Sequence, residues 1–357
     1  MPEITPAAAI DLFGHAGDGQ PVHRIRLRNA RGTEAAIITL GASVQALSVP
    51  DRDGRHDDVV LGHDDITPYV EQPHYMGASV GRFANRIAGG VFELDGRRFE
   101  LDRNEGANTL HGGGAGFDRK VWRIEAADAR SVTVALTSPD GDQGFPGELE
   151  ATATYRLADD ADELTLTFEA RTSAPTVVSL APHAYFNLAG AHSDEDILGH
   201  ELMIAAEAYI PVAADLIPTG ELRPTAGGPF DFCAPRRIGE RIEDADDQLR
   251  LGQGYDHNWV LRAGRGPEPV LAARLRHPGS GRALELLTTE PGLQFYSGNF
   301  LTGSLTGKGA SRYQRRRGLC LEPQAFPDAP NRAEFPSARL DPGQTYRHHI
   351  VWRFSAD

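Results

Sequence analysis

Between residues 131 and 172 the chain reads SVTVALTSPDGDQGFPGELEATATYRLADDADELTLTFEART, with apolar side chains falling on every second position. A repeat of two belongs to a strand with one buried face, whereas a helix repeats every 3.6 residues. The turn-forming clusters SPDGDQGFPG and ADDAD divide this stretch into three strands. The same signal recurs at 91–101, VFELDGRRFEL, as two short strands joined by Asp95-Gly96. That dipeptide suits a type I′ turn, in which both central residues take positive φ. Near the end, TYRHHIVWRF places Tyr346, His348, Ile350, Trp352 and Phe354 on one face. Helical periodicity is weak, with one short candidate at 240–248. Many short strands punctuated by 39 glycines and 24 prolines predict an all-β fold, a large sandwich or barrel. No fixed repeat and no Pro/Ser-rich linker interrupts the chain, so residues 1–357 are expected to form one domain.

The formal net charge of −14 argues against a phosphate-backbone partner, which calls for a basic face. Two cysteines, Cys233 and Cys320, make no disulfide framework and no zinc pattern. The first residues, MPEITPAAAIDLFGHAGDGQ, lack a basic start and a long apolar run, and no stretch is suited to span a bilayer. A cytoplasmic protein with reduced thiols and no nucleic-acid or membrane partner is expected.

Four stretches put polar groups where a plain β-protein has no need of them. In GASVGRFANRIAGG, 77–90, Asn85 and Arg86 offer an amide and a forked donor suited to holding hydroxyls; an Arg paired to a nearby acid explains the stretch as well. In NEGANTLHGGGAGFDRKVW, 104–122, His111 precedes three glycines, which fits either a surface loop or close approach of a ligand to the ring. In SLAPHAYFNLAG, 179–190, His183 follows a proline and precedes an apolar run. It is suited to general acid catalysis, or to a core position satisfied by a carbonyl. In GYDHNWVL, 254–261, Asp256 either accepts from substrate hydroxyls or caps a turn, and His257 has the weaker claim. A fifth, CLEPQAFPDAPN at 320–331, ends an apparent strand on Glu322 ahead of three prolines. A nucleotide-binding glycine fingerprint and a nucleophile elbow are absent, and no histidine pair has metalloprotease spacing. YQRRRG, 313–318, reads as a solvated loop, with a phosphate site as the remote alternative.

Taken in order, GRFANRI, NTLHGG, HAYFNLAG, YDHNWVL, GLQFYSGNFL and LEPQAFPDAPN resemble the aldose 1-epimerase (galactose mutarotase) family over residues 81–331. The resemblance implies a large antiparallel β-sandwich, the galactose mutarotase-like supersandwich, with an open sugar-binding cleft. It also implies interconversion of α and β anomers of a free hexose without cofactor or metal, by a monomer or homodimer. By it, Glu322 is the general base, His183 the general acid and His111 an assistant at the ring oxygen or an adjacent hydroxyl. Asn85, Arg86, Asp256 and Gln294 hold the sugar. The residue types suit that chemistry: one base takes the C1 hydroxyl proton, one acid protonates the ring oxygen, and a bell-shaped pH profile follows. Partial burial beside Phe326 is expected to raise the Glu322 pKa, and Pro323, Pro327 and Pro330 to stiffen its segment. The chain departs from the family's pattern at Pro182 and Ala184, where an Asn and a Thr are expected beside the acid histidine. Three rival readings stand: a glycosidase using Glu322 and Asp256, a catalytically silent sugar binder, and a hexose-6-phosphate epimerase drawing on Arg315–Arg317.

Overall fold

The computed structural model describes residues 8–71, 74–304 and 306–357. Among them the strands form a nine-stranded, a six-stranded and a five-stranded sheet, with four two-stranded pairs between. The three strands read from 131–172 are Ser131–Ser138, Leu149–Leu157 and Glu163–Thr172, paired antiparallel in the nine-stranded sheet. Their alternation has the expected cause. Ala153 faces Phe168 and Tyr155 faces Leu166 across one pair; Leu164 and Leu166 face Trp352 and Ile350 of Tyr346–Ala356 across the next. All of these are buried, while Thr and charged residues take the other face. The hairpin Val91–Leu94/Arg97–Glu100 turns at Asp95 and Gly96, with φ of 53° and 72°.

The six-stranded sheet runs Tyr185–Phe186, Leu319–Gln324, Gly292–Tyr296, Asp256–Leu261, Ala206–Ile210, Arg223–Pro224. Its central strands are buried on both faces, so they read as mixed runs without clean alternation. One face supplies Phe186, Trp259, Leu293, Phe295, Leu319 and Leu321 to the main core, which also contains residues of the other two large sheets. Phe186 joins the layers, its ring 6.1 Å from Trp352 and 6.5 Å from Phe354. This is a β-sandwich, and the second face of the six-stranded sheet is left for other work.

Three local expectations are corrected. The helix lies at Asp247–Gly252, not 240–248, because Asp246 is its N-cap and accepts from the amides of Gln248 and Leu249. Glu322 does not end its strand: pairing continues through Pro323, opposite Leu293, to Gln324. Of the Glu322 strand, Tyr185–Phe186 reaches only Leu319 and Cys320, so one side beyond is an edge, the setting in which sheets accept proline. Nor is 313–318 a solvated loop. Tyr313, Arg316 and Arg317 are buried, with Arg316 paired to Glu243 and Arg317 to Asp194.

Replacing Phe186 with Ala removes the ring between the two sheets. The expected loss is about 3–5 kcal/mol of unfolding free energy, read from the midpoint of denaturant unfolding at unchanged slope.

Candidate active site

Strand parity assembles the site. Asn258, Gln294 and Glu322 lie in one row across three strands, and Asp256, Tyr296 and Cys320 lie in the next row on the same face. Cys320 pairs in turn with Tyr185, and His183 precedes Tyr185 by two residues, so it shares that face. His257, one residue out of phase, points into the core, its ring 4.8 Å from Phe230. A second group comes from the pair Arg86–Ile87/Thr109–Leu110, which brings Asn85 and His111 over the sheet. The result is a cleft of about 630 Å³, its open mouth included, in which all seven sequence-predicted residues meet.

His183 and Glu322 are the nearest acid–base pair, Nε2 to Oε2 3.7 Å, both buried. Glu322 is 2 % exposed, so its burial is complete rather than partial. That burial pushes its pKa well above the usual carboxylate range; the Asp256 charge adds to the rise and Arg86 opposes it. Phe326, expected beside it, has its ring 5.2 Å from Phe335 in a separate apolar cluster. Burial lowers His183 to about 4, partly offset by its own backbone carbonyl. Burial likewise raises Asp256, against the pull of Arg86 and a 2.8 Å hydrogen bond from Gln294 Nε2.

Arg86 donates to Glu105 through Nε and a terminal nitrogen, at 2.6 and 2.7 Å. Burial alone would lower its pKa; Glu105, with Asp256 and Glu322 nearby, reverses that. Both readings of this residue therefore hold: it is ion-paired and it lines the cleft. Asn85 sits at φ 66°, with its backbone N–H donating to His111 Nδ1 at 3.1 Å and its side-chain oxygen accepting from the Arg86 N–H. The glycines after His111 serve the backbone. A Cβ on Gly112 would stand 2.0 Å from the Gly81 carbonyl oxygen, and φ there is +90°.

Sequence reasoning missed several lining residues: His74, Tyr75, Glu105, Leu110, Tyr185, Tyr296 and Phe300. Tyr75, at φ 56°, has its ring 4.6 Å from His111 and 5.5 Å from His183. The run of aromatics after His183 was the available signal for Tyr185 and nothing local marks Glu105. Asp328 was also missed. It donates its N–H to the Arg86 carbonyl and accepts from the Ala88 N–H, which ties the segment after Glu322 to the Arg86 loop.

His111, His183 and Glu322 each present a ligand atom within 4.8 Å of the others, a spacing a metal ion could use. The donor set fits one poorly. His111 Nδ1 already accepts from a backbone N–H, so its other nitrogen carries the proton in the neutral ring and has no lone pair to give.

A buried carboxylate and imidazole, flanked by an Arg, a second carboxylate and amides, line one cleft and are equipped for acid–base chemistry. The aldose 1-epimerase family model matches residues 23–353. The galactose mutarotase of Bos taurus is 44% identical over 355 residues, covering 99% of both chains. The aldose 1-epimerase of Escherichia coli K12 is 39% identical over 96% of this chain and 98% of its own. Among solved structures, an aldose epimerase homologue from C. elegans superposes with a TM-score of 0.86 at 30% identity, covering 93% of this chain and 98% of its own. A galactose 1-epimerase from Lactobacillus acidophilus reaches 0.84 at 26% identity, covering 99% of both. This chain belongs to the aldose 1-epimerase family, and it is an isomerase.

Because the Asp256 charge contributes to the raised Glu322 pKa, Asp256→Asn lowers it. With His183 lowered by burial, the working form of the pair holds one proton, carried by Glu322 in the free enzyme, so the loss of that proton sets the alkaline limb of the kcat/KM profile. That limb moves to lower pH in this variant, whatever the loss in affinity, and an alkaline limb that stays in place or moves upward removes Glu322 from it.

Proposed function

We propose that the enzyme interconverts the α and β anomers of a free aldohexose such as galactose or glucose, with Glu322 as base, His183 as acid and the other predicted residues holding the sugar. The 3.7 Å approach of His183 Nε2 to Glu322 carries this reading, because ring opening needs a base and an acid at neighbouring oxygens of one carbon.

In the empty cleft the opposed pKa directions leave the pair's single proton on Glu322. A sugar hydroxyl donating to Glu322 and a ring oxygen accepting from His183 both favour the ion-paired form. Glu322 then takes the proton of the C1 hydroxyl while His183 Nε2 gives its proton to the ring oxygen, and the C1–O bond of the ring breaks. The open aldehyde turns about C1–C2. Glu322 returns its proton to the aldehyde oxygen, His183 recovers the hydroxyl proton, and the ring recloses on the other face. Every proton is restored and no covalent bond to the enzyme forms. Gln294 fixes Asp256, and Glu105 fixes Arg86, as acceptor and donor for the remaining hydroxyls. His111 offers a fixed Nε2–H beside His183, with ring centres 5.3 Å apart.

A free sugar fits better than a phosphorylated one. Arg315 is bound to the Gln253 carbonyl, Arg316 and Arg317 are ion-paired, and none of the three lines the cleft. Arg86 is the one Lys or Arg among the described lining residues, and it is committed to Glu105. Two free cysteines fit a cytoplasmic setting, and among the described residues no helix is long and apolar enough to cross a membrane.

Polarimetry on freshly dissolved α-D-galactose and α-D-glucose checks the reading. The protein accelerates decay to the equilibrium rotation, and Glu322→Gln and His183→Gln each lower kcat by about 10²–10⁴-fold. Hydrolysis of a chromogenic galactoside without anomer conversion would favour the glycosidase reading. Acceleration confined to the 6-phosphate sugar would replace the substrate.

A further inference from the structure

Two histidines line the same cleft, yet their far nitrogens have different partners. His111 Nδ1 accepts from the Asn85 N–H at 3.1 Å. A nitrogen that accepts carries no proton, so neutral His111 is protonated on Nε2 and is a standing donor. Among the described residues no backbone amide donates to His183 Nδ1. Its neighbour Pro182 has no N–H, Ala184 has no polar side chain, and its own N–H donates to the Ala78 carbonyl. Its own backbone carbonyl favours a protonated ring, and 3.5 Å from its Nδ1 stands Sγ of Cys320, fully buried and in the same row of the sheet as Tyr185.

We propose that Cys320 is a positioning residue: its sulfur accepts the Nδ1–H of His183, which holds the ring in the tautomer opposite to His111 and leaves Nε2 as the nitrogen through which the proton enters and leaves. The geometry requires this division. Nε2 is the nitrogen that faces Glu322, at 3.7 Å. To receive a proton from Glu322 or from the sugar it needs its lone pair, so the resting proton of the neutral ring belongs on Nδ1. A thiol suits the far side. Burial and the Glu322 charge push the Cys320 pKa well above its ordinary value, so the group is neutral and sulfur is a weak acceptor. It orients the ring without adding a negative charge. The other titratable groups against the ring are His74, His111, Tyr75, Tyr185 and Tyr296, and burial holds these tyrosines neutral.

The inference rests on the reading of His183 as the acid, and one set of measurements separates the two. Long-range proton–nitrogen correlation spectra of the full chain, labelled with ¹⁵N-histidine and assigned by loss of one signal in His183→Gln, show the tautomer of each ring at neutral pH. The expected pattern is Nδ1–H for His183 and Nε2–H for His111. Cys320→Ala mixes the His183 tautomers and lowers kcat for galactose about two- to tenfold, the range of one neutral hydrogen bond, at unchanged KM. Cys320→Ser, whose oxygen also accepts, restores both. An Nε2–H pattern for His183 in the unmodified protein overturns the proposal. So does a Cys320→Ala variant with unchanged tautomer and kcat. Full activity of His183→Gln overturns instead the assignment of the acid, whatever the spectra show.

Discussion

Glu322 is a carboxylate taken almost wholly out of water on the face of a sheet, and the surrounding site answers to that fact. An isolated buried carboxylate is costly, so it either finds a cation or takes up a proton. The nearest cation, Arg86, is already shared with Glu105 and lies near Asp256 as well. Glu322 is thus undercompensated, and among the described residues its Oε2 has no hydrogen-bond partner. A carboxylate held this way has a high proton affinity.

A sheet achieves this because its two faces are independent. Leu293, Phe295, Leu319 and Leu321 hold the strands to the main core, while Gln294, Cys320 and Glu322 on the alternate positions are free of that duty. Packing energy and chemistry then reside in one segment without competing for the same residues. A one-residue slip of the Glu322 strand would exchange the faces, burying Glu322 in the core and turning leucines into the cleft. The many apolar partners on the core side are what make such a slip expensive.

Much of this was legible in the chain. The strands of 131–172 and the Asp95-Gly96 turn follow from local patterns, and the seven predicted site residues do converge in one cleft. What escaped notice depends on register between distant segments. Glu105 reaches Arg86 because two two-residue strands pair, a signal too short to read. Asp328 joins the Arg86 loop across 240 residues of sequence. Arg82, in the same GRFANRI motif as Arg86, looks equally available, yet its guanidinium donates to the carbonyls of Pro146 and Gly147. The arginines of 313–318 looked solvated because a run of charge carries no record of the acids folded against it.

The pKa shifts of His183 and Glu322 point in opposite directions, and under the proposed mechanism each helps its own transfer. A ring oxygen is a poor base, so it takes a proton most readily from a strong acid; an imidazolium whose burial holds its pKa near 4 is one. A sugar hydroxyl is a poor acid, so it gives its proton most readily to a carboxylate whose pKa has been raised. The cost is that the active ion pair is the minor form in the empty cleft, and substrate binding has to restore it. A carboxylate behind His183 would remove that cost by stabilising the imidazolium, and would weaken the acid by the same amount. A neutral thiol at that position orients the ring and leaves the acid strong. On this view the missing polar neighbours at Pro182 and Ala184 take nothing from the reaction, because the orienting contact comes from across the sheet.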